Sequence, residues 1–220
     1  MNFGNNLVES YTFVDDEPEL VSYLYEYTIT SHPIFNEIQE EMIHLNDYCL
    51  LCITSIEKKI TTMHQEIEDI RLGKTTYVYP DFGDISDDII FSMEEFDLPR
   101  WEETQDIIVL GMCYILLFSF LEKTLRDIIY FLSGTQIGKN VKRRNKSEII
   151  SLLEYLKSSC NLVFDIPESD MQLLNECKKI RNLFAHGHWH EIKLLTKTFP
   201  LPIAFNAVSS VFRLIDENTK

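Results

Sequence analysis

An arginine, an asparagine and a histidine stand close together in residues 178–187. Four residues separate Arg181 from His186, and Asn182 follows the arginine directly. Asn182 and His186 are four positions apart and therefore share one face of a helix. An imidazole exchanges protons near neutral pH, and a guanidinium is a permanently charged fork suited to a phosphate. The pattern predicts acid–base chemistry on a phosphate group.

The end of this helix is predicted at Gly187. A histidine in the last turn lies near free carbonyl groups and the negative end of the helix dipole, which favours the imidazolium. Ile180 and Phe184 occupy the neighbouring apolar face. We therefore expect Asn182 and His186 at the edge of the core.

A carboxylate is expected beside the arginine. Glu122 directly follows the longest apolar run, residues 107–121, and a buried carboxylate needs a cationic partner. We expect Arg181 to be that partner; the alternative is that Glu122 is the first exposed residue beyond the run. The run is shorter than the ~18–20 residues that span a bilayer, so it predicts a buried helix and no membrane association.

Residues 178–187 resemble the signature of the HEPN superfamily, in which an arginine, usually followed by a polar residue, precedes a histidine by four to six residues at a helix end. Residues 118–125 are similar to the HEPN helix that packs on the motif helix and often carries an acid. The resemblance implies an up-and-down four-helix core over about residues 101–220. It also implies a catalytic set of Arg181, Asn182, His186 and Glu122.

Active members of this superfamily are metal-independent endoribonucleases in which two motifs face one cleft of a dimer. The ribose 2′-hydroxyl attacks the adjacent phosphate, while the histidine transfers protons and the arginine neutralises the developing charge. The resemblance thus implies an RNA substrate, no cofactor, a homodimer, and a role as a toxin with a cognate antitoxin protein or as an antiphage-defence effector.

Other HEPN domains lack activity, which leaves a competing hypothesis. The chain is then a non-catalytic interaction or regulatory module, whose long N-terminal helix and acidic loop bind a protein or RNA partner. Exposure of Arg181 and His186 in a cleft beside Arg143 or Arg144 favours the enzyme. Burial of both side chains in separate ion pairs favours the module.

Charge divides the chain into two regions. Residues 1–100 carry 21 Asp and Glu against 5 Lys and Arg, whereas residues 101–220 carry 14 against 15. RNA binding requires a basic surface, so the acidic N-terminal region is excluded as the RNA site. The division into an acidic helical region, residues 1–100, and a HEPN-like domain, residues 101–220, combines this charge difference with what the resemblance implies. The predicted RNA-binding residues are Lys142, Arg143, Arg144, Lys178 and Lys179; a solvated turn is the alternative for the basic loop that contains the first three.

Apolar residues recur every three or four positions from Ile34 to Ile70. This period predicts one long amphipathic helix that ends near Gly73. A helix of this length reaches about 57 Å, so part of it must project from a compact domain or meet a second chain.

The other segments predict further helices. Turn residues and acids make residues 74–100 an acidic connecting loop. No segment shows sustained period-two alternation, so the fold is predicted to be all-α, with a long N-terminal amphipathic helix. The resemblance adds that the helices form a HEPN-like antiparallel bundle. The remaining helices are predicted from Asp16 to about Thr28, over residues 101–132 and 147–157, from Pro167 with a capping box at residues 169–172, and after Pro200.

Metal and disulfide chemistry are both disfavoured. His186, His188 and His190 alternate, but the neighbouring sequence completes no ligand set, so no metal site is expected. The five cysteines are an odd number at irregular spacing, and the N-terminus shows no secretion signal. These features favour a reducing cytoplasm.

Overall fold

The computed structural model describes residues 8–14, 17–23, 32–136 and 148–219. Helices dominate these ranges, which confirms the all-α prediction, and two small antiparallel hairpins are the only strands within them. The elements are β1 (Val8–Val14), β2 (Glu17–Tyr23), α1 (Pro33–Arg71), β3 (Val78–Tyr79), β4 (Gly83–Asp84), α2 (Ser86–Ser92), α3 (Leu98–Glu103), α4 (Leu110–Ser133), α5 (Glu148–Ser159), α6 (Glu168–Ala185), α7 (Trp189–Thr198) and α8 (Leu201–Glu217).

Helix α1 confirms the prediction of one long amphipathic helix. Pro33 opens it, and the His32 Nδ1 accepts a hydrogen bond from the backbone N–H of Ile34 at 3.4 Å. A proline at this position loses no helical hydrogen bond, since the first N–H groups have no partner within the helix. The helix ends at Arg71, and Gly73 adopts a φ of +66°, as the predicted end near Gly73 requires.

Residues 86–133 form a second long helix, so the prediction of a loop as far as residue 100 is wrong. The helix starts at Ser86, whose backbone N–H donates to Asp84 Oδ1 at 2.9 Å. Two π-helical segments, Met93–Asp97 and Thr104–Val109, interrupt it without ending it. The Leu98 N–H reaches the Met93 carbonyl five residues back, and this wider turn accommodates Pro99, which has no N–H to donate.

Two separate apolar clusters hold the helices together. The large cluster contains the first half of α1 with α4, α5, α6 and α8 and the inner face of α7. The small cluster contains Met63, Ile67 and Leu98. We call the part of α1 after Glu57, the β3–β4 hairpin and residues 86–103 the arm, and the remaining helices with the first half of α1 the bundle. The far half of α1 is therefore covered by residues 86–103 of its own chain.

The apolar run at residues 107–121 lies inside the bundle, as predicted. Tyr114, Leu117, Phe118 and Leu121 are fully buried. By length and composition alone, the helix Ser86–Ser133 could cross a membrane, with a mean hydropathy of 1.8 in its most apolar window, half of which is buried; α7 and α8, bent by 70°, meet the same criterion as a pair.

Three local predictions are wrong. Residues 17–23 form strand β2, paired from Val8↔Tyr23 to Val14↔Glu17, where a helix was expected; the β-branched and aromatic residues of β1 favour the extended backbone. Helix α6 starts at Glu168, so the expected capping box at Ser169 falls inside its first turn. Helix α7 forms between Gly187 and Pro200, where no helix was predicted.

Candidate active site at the end of helix α6

Helix α6 ends as its glycine predicts. Gly187 has a φ of +76°, and its N–H donates to the Phe184 carbonyl at 3.1 Å while the His188 N–H donates to the Leu183 carbonyl at 2.9 Å. This pair of bonds is the Schellman motif, which requires a left-handed residue after the helix. His186 is the last residue before that turn, and its N–H is bonded to the Asn182 carbonyl at 3.0 Å. The turn fixes the backbone that carries the imidazole.

Helices α4 and α6 approach closely at one glycine. A Cβ atom added to Gly111 would lie 2.2 Å from Cδ2 of Phe184, so only a glycine leaves room for this ring. The Phe184 ring also stacks on Trp189, with centroids 6.3 Å apart and planes at 21°. An isolated glycine inside an apolar helical run is the sequence signal for such a contact. The contact holds the end of α6 against α4.

Glu122 and Arg181 form an ion pair between α4 and α6. Arg181 Nη2 donates to Glu122 Oε1 at 2.6 Å, and the two side chains are 23% and 20% exposed. The preceding residues, Leu121 and Ile180, are fully buried, so the pair lies at the edge of the core. The predicted pairing is confirmed, and the alternative of an unpaired, fully exposed Glu122 is wrong.

The rest of the guanidinium has no partner among the described residues. Arg181 Nε is buried without a hydrogen bond, and Nη1 makes none to the described part of the chain. A short charge-assisted bond fixes the planar group at one end. Within the described ranges, the other terminal nitrogen is therefore without a hydrogen-bond acceptor.

Asn182 and His186 lie one turn apart on α6. Asn182 is half-buried and His186 is exposed, and neither side chain is hydrogen-bonded to another described residue. The structure therefore brings Arg181 and Glu122 into contact and gives the other two predicted site residues no hydrogen-bond partner within the described ranges. The two side chains meet different criteria of the sequence analysis. The ion pair of Arg181 favours the interaction module, whereas the exposure of His186 favours the enzyme.

The predicted RNA-binding residues fall into two groups. Lys142, Arg143 and Arg144 lie outside the described residues. Lys178 is half-buried on α6, and the exposed Lys179 is bonded to Glu176 at 2.5 Å. The positive charge of Lys179 is thus matched locally by an acid.

Cys177, one turn before Arg181, is not a nucleophile. Burial, with a smaller contribution from the neighbouring Glu176 charge, raises the pKa of its thiol to about 12. The thiol is therefore protonated at neutral pH, and a thiol reacts as its thiolate. In the described part of the chain, no three His, Cys, Asp or Glu residues are grouped as a metal site would need. His186, His188 and His190 are all exposed.

Several residues that position the site were missed in the sequence. The buried Tyr114 donates its hydroxyl hydrogen bond to the Phe199 carbonyl between α7 and α8. Lys193 on α7 is paired with the half-buried Asp106 at 3.2 Å. These contacts join residues 85 and 87 positions apart, and no local pattern indicates them.

The comparisons with known proteins add no family. No family model, no curated protein and no solved structure matches the chain. The resemblance to the HEPN signature therefore rests on the residues described above.

Proposed function

We propose that the chain is a metal-independent endoribonuclease of the HEPN type. The observation that carries this proposal is the Arg181–Glu122 ion pair, which holds a guanidinium at the core edge next to the helix end that presents His186. We assign Glu122 the role of a positioning residue, because its carboxylate contacts the guanidinium of Arg181. In this proposal Asn182, one turn before His186, orients the imidazole or a sugar hydroxyl.

The proposed reaction uses the substrate's own hydroxyl. The 2′-oxygen attacks the adjacent phosphorus as its proton moves to a base, and the bond to the 5′-oxygen breaks as that oxygen gains a proton. The products are a 2′,3′-cyclic phosphate and a 5′-hydroxyl. His186 transfers the protons, and Arg181 balances the charge that develops on the phosphate.

One Arg–His pair per chain is a small catalytic set, so the proposal includes a homodimer. A two-fold axis would bring two copies of Arg181 and His186 into one groove. An RNA-cleaving activity fits a cytoplasmic toxin with an antitoxin partner, or an antiphage-defence effector. Light scattering at micromolar concentration should give the mass of a dimer, and a fully active monomer would contradict the shared groove.

Cleavage of total RNA in EDTA tests the activity. We expect the wild type to cleave RNA and to leave a cyclic phosphate, and His186→Ala and Arg181→Ala to lose activity by about 100-fold or more, since general acid–base catalysis contributes ~10²–10⁴-fold. His190→Ala is the matched control, because His190 is also exposed but lies outside the motif on α7. A DNA substrate of the same sequence lacks the 2′-hydroxyl and should remain intact.

Three results would overturn the proposal: no cleavage of RNA by the folded wild type, cleavage that stops in EDTA, or full activity of His186→Ala. Circular dichroism of each variant shows whether the fold is kept.

A further inference from the structure

The end of the arm exposes large aromatic side chains. Phe82 is 76% exposed, Phe91 60% and Phe96 63%, and Val78 and Tyr79 are exposed as well. Single exposed apolar residues are ordinary on a protein surface, whereas several together mark an interaction site. We call Tyr79, Phe82, Phe91, Phe96 and the acids between them the arm tip.

The π-helical segment creates one half of this surface. In an α-helix, residues five positions apart point in different directions. The segment Met93–Asp97 is π-helical, with the Leu98 N–H bonded to the Met93 carbonyl five residues back, and this wider turn brings Phe91 and Phe96 one above the other. Their rings meet edge to face with centroids 6.0 Å apart. The inner face of the same helix packs Met93 and Leu98 onto α1, which turns both phenylalanines outward.

The hairpin carries the second aromatic pair of the arm tip and is fixed in place. The Tyr79 and Phe82 rings contact each other with centroids 5.7 Å apart, and the Phe82 N–H is bonded to the Tyr79 carbonyl at 3.2 Å. Tyr77 ties the hairpin to both long helices, because its hydroxyl donates to Glu66 and its N–H donates to Ser86 Oγ. The aromatic rings are thus held before any partner arrives, which lowers the entropy cost of binding.

The charge of the arm tip has one sign. Residues 75–99 contain seven acids and no lysine or arginine. The exposed acids are Asp81, Asp84, Asp87, Asp88 and Glu95. The nearest cations along the chain are matched by acids of the arm: Arg71 by Glu68 and Glu94, Lys74 by Asp69 and Arg100 by Asp97. A ligand of this surface must therefore bring positive charge together with apolar contact.

We propose that the arm tip is a docking surface for a basic segment of a partner protein, in which arginines or lysines alternate with apolar side chains. The cations of the segment pair with the acids and lie on the aromatic faces, and its apolar residues pack between the rings. RNA and anionic lipid carry the wrong charge for this surface. A second copy of the chain is an outcome that the test below separates from a partner protein. The docking surface is separate from the candidate active site and does not depend on ribonuclease activity.

Binding of two labelled peptides of equal length, one alternating Arg and Leu and one alternating Glu and Leu, tests the surface by fluorescence anisotropy at physiological salt. We expect the basic peptide to bind wild type and the acidic one not to bind. The triple variant Phe82→Ser, Phe91→Ser, Phe96→Ser should raise the Kd by about tenfold without changing its salt dependence, as expected when aromatic anchors are removed. The triple variant Asp81→Asn, Asp87→Asn, Asp88→Asn should raise the Kd about as much and flatten the salt dependence.

The matched control is Glu37→Gln, Glu40→Gln, Glu168→Gln, which removes the same charge from exposed residues outside the arm. This variant should change the Kd by less than about twofold, since its charges lie beyond a Debye length from the tip. An equal loss of affinity in the control would mean unspecific charge attraction and would overturn the docking surface. Wild-type affinity of the phenylalanine variant for the basic peptide would also overturn the docking surface. Wild type could instead bind RNA or anionic vesicles, or associate with itself, and lose this binding in the phenylalanine variant. That result would assign the surface to another occupant and refute a basic protein partner.

Discussion

The arm and the bundle share the same two long helices, but these helices pack differently in the two regions. In the bundle, α1 and α4 bury Phe35, Ile53 and Leu125 almost completely in the large cluster. In the arm, Met63, Ile67, Ile70 and Leu98 are the buried residues of the described chain, with a few half-buried neighbours. A continuous helix therefore does not imply a uniform core. Regions with few buried apolar contacts open more easily than the rest of a protein, so the arm should be the less stable region.

Ion pairs show the same contrast. Arg181–Glu122 in the bundle and Arg71–Glu94 in the arm have similar lengths, 2.6 and 2.7 Å, and each joins two elements. The arm pair is 46% and 39% exposed, about twice the exposure of the bundle pair. Water screens the arm pair more strongly, so it contributes less to stability.

The largest expected effect separates the two cores with one kind of substitution. Leu125→Ala in the large cluster should lower the free energy of unfolding by about 3–4 kcal/mol, and Leu98→Ala in the small cluster by about 1–2 kcal/mol, since a leucine enclosed on all sides leaves the larger cavity. Urea unfolding measures both values. Hydrogen exchange should locate the second effect in residues 86–103, and equal destabilisation with global exchange would show that arm and bundle are one cooperative core.

The next effect compares the ion pairs. Glu122→Gln should cost about 2–3 kcal/mol because it leaves Arg181 partly buried without a charge partner. Glu94→Gln should cost less than about 1 kcal/mol. Thermal unfolding of the two variants in parallel provides the measurement. If the costs are the same, burial does not distinguish the two pairs, and Glu122 would lose its role in positioning the arginine.

The smallest effect concerns the charge of the arm. In Asp81→Asn, Asp87→Asn, Asp88→Asn we expect affinity for single-stranded RNA to rise about 2–3-fold at low salt and to equal that of wild type at high salt, since salt screens exposed charges. Asp84 is kept because its carboxylate caps the N–H of Ser86. Filter binding over a salt series measures the change. Unchanged affinity at low salt would place the arm far from the path of the RNA.

The spacing of apolar residues and the residues that end helices predicted much of the fold. Three predictions that depend on local rules are confirmed. They are helix α1 from its apolar stripe, the end of α6 from its glycine, and the cationic partner of Glu122. Pro99 was misleading, because a proline indicates the end of a helix unless a π-helical turn absorbs it. Helix α7 was missed because its position depends on Phe184 in the preceding helix and on Asp106, which is distant in sequence. The basic loop around Arg143 lies outside the described residues, and its RNA contact stays a prediction.

Contacts in the arm and in the bundle differ in sequence separation, and this difference has a consequence for folding during translation. Contacts in the arm join residues 11 and 23 positions apart, as in Tyr77–Glu66 and Arg71–Glu94, whereas Glu122–Arg181 spans 59 positions. Local contacts form faster than distant ones, and a chain leaves the ribosome from its N-terminus. The arm can therefore fold while α6 is still untranslated. Any activity that needs Arg181 and His186 would be absent from the nascent chain until most of it has been made.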